Sequence, residues 1–239
     1  MSMFYTEIAK YYDYIFPTGK MQLQLITESA GRRPKDILDV ACGSGGYSKS
    51  LSDMGYFVTA IDLDEKMVQS LKEKDDKINA RVLNMLNIDE LNQTFDLIFC
   101  IGNSLVHLNS LDEIRVFIQS CKKNLEYNGK LIMQIVNYDR ILAKNIKELP
   151  TIKNEEKDLT FERYYSYLVE EHRINFKTIL TVDGKVLDND VILFPIKSTE
   201  LKEILEDVGF TNIEFYGSFK KDKYEPMESF SLVIVSQNK

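Results

Sequence analysis

Cysteine is scarce in this chain: Cys42, Cys100 and Cys121 stand alone and form no C-x-x-C pair. That excludes a disulfide framework or a thiolate metal knot as the organising feature, and a reducing cytoplasm is the expected location. Histidine is scarcer still. His107 and His172 are the only two, and without a Cys/His cluster a histidine-built metal site is not expected. No apolar run approaches membrane-spanning length, and the first residues, Met1 to Glu7, carry neither a basic segment nor an apolar core of the secretory kind, so neither export nor a membrane partner is expected. Positive charge is also short. Against 37 acidic residues stand 30 Lys and Arg, a net charge of −7, which argues against a nucleic-acid partner because such binders need a basic face to displace counterions. No internal repeat or low-complexity tract is present.

What the chain does have is 239 residues, 44% of them hydrophobic, enough for one substantial core. Short apolar runs alternate with segments of helical periodicity. Strands are expected at 36–40, 56–61, 80–83, 95–101 and 130–136, separated by helices at about 47–54, after Asp64, and from Ser110 onward, where Ser110 to Glu113 forms a capping box and the apolar face runs on to Gly129. Such alternation predicts an α/β fold, a doubly wound parallel sheet. After Asn137 the rhythm changes. Residues 160–194 read as strands only, with Asp183-Gly184 as a hairpin turn, then a helix from Ser198 and two closing strands at 212–216 and 230–235. The expected organisation is a single domain, 1–239: an N-terminal lid at 1–20, a Rossmann-like core at 21–139 and 197–239 with seven strands and a terminal antiparallel hairpin, and a small β-meander insertion at 140–196.

The chemistry concentrates at Ile37-Leu38-Asp39-Val40-Ala41-Cys42-Gly43-Ser44-Gly45-Gly46. A strand ends at an aspartate and runs into a glycine-rich turn and a helix, an arrangement that brings backbone N–H groups and a helix dipole up to a ligand. A dinucleotide turn would want a third glycine where this chain has Ser48. Asp39 at the turn suits a cationic amine better than a pyrophosphate. The next apolar run closes on Asp62, the position at which ribose hydroxyls are read. Amine at one end and ribose at the other describe S-adenosylmethionine. This stretch resembles motif I of the class I S-adenosylmethionine-dependent methyltransferases, and Ile61-Asp62-Leu63-Asp64 resembles their second motif. Asn84 and Met85, after the third strand, fall where the adenine would lie: an amide for the base edge and a thioether for its face, although Met85 serves equally well as core filler.

Further on, Ile101-Gly102-Asn103-Ser104-Leu105-Val106-His107-Leu108 is similar to the strand-four motif of glycine and sarcosine N-methyltransferases. Asn137-Tyr138-Asp139-Arg140-Ile141-Leu142, Leu193-Phe194-Pro195 and Gly217 to Lys220 with Tyr224 extend the likeness. The resemblance implies a cofactor site formed by Tyr5, Tyr12, Asp39, Ala41, Gly43, Gly45, Asp62, Leu63, Asn84, Met85, Ile101, Gly102 and His107. It implies an acceptor site at Gly102, Asn103, Asn137, Tyr138 and Tyr224, with Asn103 and His107 as catalytic candidates. Tyr5 and Tyr12 would help close the lid. The family places an arginine just before Asn137 to hold the substrate carboxylate, and here that residue is Val136. Arg140, Arg163 and Arg173 are the cations that could supply the charge from another direction.

The expected reaction is methyl transfer to a small-molecule acceptor, most simply an amine nitrogen, glycine- or sarcosine-like or another small amine, with no metal required. His107 is the candidate base, and a hydrogen-bonded structural histidine is the other reading of the same residue. Tyr164, Tyr165 and Tyr167 either shape the acceptor pocket or simply pack the meander. Two other functions fit the same residues: a non-catalytic S-adenosylmethionine-binding sensor or partner-binding module, and an O-methyltransferase of a small metabolite. Whether the chain is a monomer or a homodimer does not follow from its sequence.

Overall fold

The computed structural model describes Ile8 and residues 11–239. In chain order its elements are a short helix α1 (Tyr12–Ile15), α2 (Lys20–Ala30), β1 (Asp36–Val40), α3 (Gly46–Asp53), β2 (Phe57–Asp62), α4 (Glu65–Lys74) and β3 (Asn79–Val82). A 3-10 turn (Met85–Leu91) leads to β4 (Phe95–Cys100), another (Ser104–His107) to α5 (Leu111–Lys123), then β5 (Leu125–Val136) and α6 (Tyr138–Ala143). The meander is β6 (Glu148–Asn154), β7 (Leu159–Leu168), β8 (Arg173–Val182) and β9 (Lys185–Leu193); α7 (Ser198–Val208), β10 (Phe210–Tyr216) and β11 (Ser231–Asn238) complete the chain.

The strands form a seven-stranded sheet in the order β10-β11-β5-β4-β1-β2-β3 and a separate four-stranded antiparallel sheet β6-β7-β8-β9. From β3 to β5 all pairings are parallel, while β11 runs antiparallel to both β5 and β10. The doubly wound sheet with its terminal hairpin is therefore present. Its central strands are apolar throughout because both faces are covered. In β4, Leu97 and Phe99 point to the cluster that holds Leu25, Ile26 and Leu51 of α2 and α3, while Ile98 and Cys100 point to the cluster that holds Phe117 and Leu201 of α5 and α7; all four strand residues are fully buried. No helix among the described residues is long and apolar enough to cross a membrane.

Two local features depart from the sequence reading. The helix after Ser110 stops at Lys123, with Asn124 at its cap, rather than running on to Gly129, and β5 starts at Leu125. A register shift against β4, from Phe95↔Leu125 to Leu97↔Lys130, absorbs the intervening residues, with Asn128 left-handed at φ 67°. Gly129 serves this irregularity, since a Cβ there would come 2.9 Å from the Glu126 carbonyl. The meander also begins earlier, with β6 at Glu148. Its pattern carries only Leu149 fully inward, too little alternation to announce a strand.

The placement of the meander matters for the site. Leu159, Phe161, Leu180 and Val182 form one cluster with Ile8, Ile15 and Met67, so the N-terminal segment is held between the meander and α4. Tyr165, Ile174 and Leu193 join the main core beside Val136, Tyr138 and Ile141. The Phe194 amide donates to the Val106 carbonyl at 2.8 Å, tying the meander's exit to the turn after β4.

Candidate active site

The chain runs outward from β1 to β2 and β3, then returns to build β4 and β5 on the other side of β1. The switch point lies between β1 and β4, and at that end their carboxyl termini, with that of β2, share one crevice. Asp39, Asp62 and Gly102-Asn103 are delivered there as the sequence predicts.

The turn after β1 is a chain of left-handed conformations: Ala41 at φ 58°, Gly43 at 54° and Gly45 at 80°. At Ala41 that conformation costs about 1–2 kcal/mol, so the turn must be held from outside. Several bonds hold it. The Cys42 amide donates to the Ile61 carbonyl at 3.0 Å, and the Gly43 amide donates to Asp62 Oδ2 at 2.8 Å. From beneath, Ser48 Oγ donates to Asp39 Oδ2 at 2.6 Å. Asp39 is only 3% exposed, and burial pushes its carboxyl up to about 7, the Ser48 hydroxyl pulling the other way and the nearby Asp62 adding to the rise. Asp39 thus works from under the turn.

Asp62 is better placed to meet a ligand. Its second oxygen accepts the Asp64 amide at 2.9 Å, so both oxygens are held by backbone N–H groups. Burial raises its pKa while those amide donors lower it. Leu63 beside it is 52% exposed, and Asn84 is exposed at the start of the next turn, where its Oδ1 accepts the Leu86 amide at 2.9 Å. Met85 is partly buried against the main core, the filler role that its side chain equally suits. A carboxylate with both oxygens fixed and an apolar neighbour fit the ribose and base of S-adenosylmethionine, and the tight turn, whose Gly43 and Gly45 amides bond Asp62 and the Cys42 carbonyl, leaves room for its amino-acid end.

The N-terminal cover sits on this turn. The Tyr12 ring lies so close over Gly43 that a Cβ there would come within 2.9 Å of it. Asp13 bridges two partners, accepting the Ser44 hydroxyl and, at 2.6 Å, the Lys74 ammonium, which also donates to the Ser44 carbonyl at 2.9 Å. The sequence reading missed Asp13, Ser44 and Lys74, whose only signal was their place beside recognised motifs. Tyr5 lies outside the described residues.

At the end of β4, Ile101 is buried, Gly102 is exposed in a left-handed turn at φ 79°, and a Cβ at Gly102 would meet nothing within 4 Å. This is open floor. Asn103, left-handed at φ 69°, is braced on both sides: its Oδ1 accepts the Val136 amide at 2.9 Å and its Nδ2 donates to Tyr138 Oη at 3.1 Å. Gln134 Oε1 accepts the Gly102 amide at 2.8 Å. His107 is exposed, yet neighbouring protein desolvates its ring and lowers its pKa, which leaves it neutral at physiological pH.

Two predicted acceptor residues are committed elsewhere. Asn137, 1% exposed, donates through Nδ2 to the Pro226 and Ser229 carbonyls and accepts the Arg140 amide and the Tyr224 hydroxyl. Tyr224 Oη also lies 2.7 Å from Asp139 Oδ2, which accepts the Ser198 amide at the start of α7. This network fixes the 217–230 loop over the crevice. Tyr138 is 1% exposed, and it meets Asn103 through its hydroxyl rather than lining an open wall.

A methyltransferase domain is matched at residues 37–129. Over 98% of both chains the fold is similar to that of an S-adenosylmethionine-dependent methyltransferase from Clostridium acetobutylicum, with a TM-score of 0.80 at 18% identity. The matched domain is a methyltransferase domain, and the fold around it is that of the class I S-adenosylmethionine-dependent methyltransferases. Within that class the chain is 24% identical over 226 residues to the glycine/sarcosine N-methyltransferase of Aphanothece halophytica, covering 92% of this chain and 82% of that protein. It is 23% identical over 219 residues to the glycine/sarcosine/dimethylglycine N-methyltransferase of Actinopolyspora halophila, covering 89% of this chain but only 38% of that longer protein.

Proposed function

We propose that this chain transfers a methyl group from S-adenosylmethionine to the nitrogen of a small amine, glycine- or sarcosine-like or another small amine. The observation that carries the reading is the floor at Gly102, open and exposed, beside an Asn103 carboxamide braced between β5 and Tyr138. When bound, S-adenosylmethionine supplies an electrophilic methyl group on a sulfonium. The chain's own work is orientation. Asp62 and the glycine turn hold the ribose and amino-acid portions, Asp39 braces the turn from beneath through Ser48, and Tyr12 closes from above. At the far wall the backbone around Gly102 and Asn103 orients the N–H bonds of a neutral amine so that its lone pair faces the methyl group. Asn137 and Tyr224 act as positioning residues, because their bonds hold the loop above this wall. Neutral His107 is available to take the proton that the methylated nitrogen releases. Gly102 and Asn103 stand where carboxylates holding a divalent cation would be needed for catechol-type O-methylation, and neither residue is such a ligand.

The test is incubation of the full chain with methyl-labelled S-adenosylmethionine and a panel of small amines and alcohols. Label in an amine product is the expected result. Tight cofactor binding with no transfer to any acceptor would overturn the reading in favour of a binding module.

A further inference from the structure

From Leu131 to Val136, Gln134 is the one residue of β5 that is not buried. Ile132, two positions before it, and Val233, its cross-strand partner on β11, both lie in the cluster under α2 and α3, so the Gln134 side chain points to that face of the sheet. Tyr216 continues the row from β10, where it pairs with Val233. It is partly buried against the same cluster, as are Phe219 just beyond it, Leu23 of α2 and Tyr47 of α3. These side chains form an apolar and aromatic rim. On the other side of Gln134 runs β4, and the register Phe99↔Ile132, Cys100↔Met133 brings Gln134 beside the point where that strand empties into Gly102.

Gln134 holds the acceptor floor twice. Its backbone carbonyl accepts the Asn103 amide at 3.2 Å, and its side-chain Oε1 accepts the Gly102 amide at 2.8 Å. A backbone N–H only donates, so the atom that meets Gly102 is the carboxamide oxygen and the orientation of the group is fixed. Nε2, on the same carbon as that oxygen, then lies beside the floor with two N–H donors and no hydrogen-bond partner among the described residues. The space next to it is open: Gly102 is exposed, and a Cβ there would meet nothing within 4 Å. A glutamate would brace the Gly102 amide equally well. What the amide adds is a donor at the place where the acceptor must lie.

We propose that Gln134 Nε2 donates a hydrogen bond to a neutral oxygen of the acceptor, a hydroxyl, ether or carbonyl a few bonds from the methylated nitrogen, while the rim of Tyr216 and Phe219 takes the acceptor's apolar part. The statement that this acceptor is an amine rests on the N-methyltransferase reading above. An uncharged amide among apolar and aromatic side chains suits a neutral oxygen, because a carboxylate would lose its hydration there and gain no opposing charge from this group. Selectivity follows from the donor. An analogue without the oxygen leaves Nε2 unpaired against apolar substrate, which costs more than the loss of one contact. Gln134 moves no proton, so it sets which amine is held and leaves the transfer step to the geometry of the floor.

Matched amines test it. With methyl-labelled S-adenosylmethionine and the full chain, 2-methoxyethylamine against butylamine, and 2-aminoethanol against propylamine, should favour the oxygen-bearing member of each pair by about tenfold or more in kcat/KM. Gln134→Glu keeps an oxygen on the Gly102 amide and replaces the donor by a second acceptor. Preference for the ether should then vanish, whereas the alcohol, which itself donates, should keep part of its own; Gln134→Leu should lose both. A glutamine that only braced the floor would slow all four amines alike. Equal kcat/KM for the ether and butylamine in wild type, or a preference undiminished in Gln134→Glu, overturns the proposal. A second readout needs no transfer: with S-adenosylhomocysteine bound, the ether should raise the melting temperature by about 2 °C more than butylamine in wild type and no more than butylamine in Gln134→Glu. That difference with no amine methylated leaves the Gln134 contact standing and removes the N-methyltransferase reading instead. Methylation of both amines without it removes the contact and leaves the reading.

Discussion

Ser48 donates its hydroxyl to the buried carboxyl of Asp39 at 2.6 Å, from the first turn of α3 back into the end of β1. The residue that breaks the dinucleotide glycine pattern is the one that holds the acid under the turn. Asp39 is raised to about 7, so in the folded chain it keeps its proton over a range in which the unfolded chain loses it, above an ordinary value of about 3.9. The folded state then binds the extra proton, and stability contributed by this group falls as pH rises from about 4 to about 7, by at most about 4 kcal/mol. Asp39→Asn should flatten that decline, and Ser48→Ala, by removing the opposing hydrogen bond, should steepen it. Urea unfolding of the three proteins at a series of pH values decides the matter; parallel curves would refute the coupling.

Asp62 carries both amide bonds that define the second edge of the crevice. Replacing it with Asn would set an NH2 group against one of those backbone donors and remove the charge that accepts ribose hydroxyls. Affinity for S-adenosylhomocysteine should fall at least about tenfold in Asp62→Asn and further in Asp62→Ala, measured by calorimetry. Unchanged affinity in both would dismiss the ribose assignment.

The Asp13 bridge to Ser44 and Lys74 is exposed, with side-chain exposures of 52% for Asp13 and 31% for Lys74, so its effect on stability is small, about 1 kcal/mol or less. Its place over the glycine turn points to a kinetic effect. Asp13→Ala should leave the melting temperature nearly unchanged and speed release of S-adenosylhomocysteine by about three- to tenfold, read by stopped-flow fluorescence of a competing analogue. Unaltered release would separate this bridge from cover closure.

These groups differ in how far the sequence discloses them. Asp62 and Gly102 are legible because each ends an apolar run, and the parallel topology then forces both to one end of the sheet. Asp64, capping α4 through the Lys66 and Met67 amides, is legible for the same local reason. The Asp13 latch is not, because it joins Asp13 to residues 31 and 61 positions away through an unpatterned surface. Nor is the state of Arg163, whose Nη2 donates to the Pro150 carbonyl while its buried Nε has no hydrogen-bond partner. Alternation in β7 tells which residues share its face, but whether a facing strand brings an acid depends on hairpin register, and β6 gave no periodic signal of its own. Asn137 illustrates the converse: its motif drew attention as a ligand contact, while its burial and four side-chain bonds make it the anchor of a loop.

Asn103 carries two features that substitution can separate: a left-handed backbone at φ 69° and a carboxamide bonded to the Val136 amide and Tyr138. Alanine removes the carboxamide and also resists the backbone conformation, at about 1 kcal/mol; glycine removes the carboxamide alone. If the side chain orients the acceptor wall, both variants lose kcat by about tenfold or more with cofactor affinity held within about threefold, since neither touches Asp62 or the glycine turn. If only the backbone conformation matters, Asn103→Gly retains full activity while Asn103→Ala falls. Single-turnover rates with labelled cofactor, paired with calorimetric affinities, distinguish the two, and active Asn103→Gly would move the orienting role from the carboxamide to the backbone of Gly102 and its neighbour.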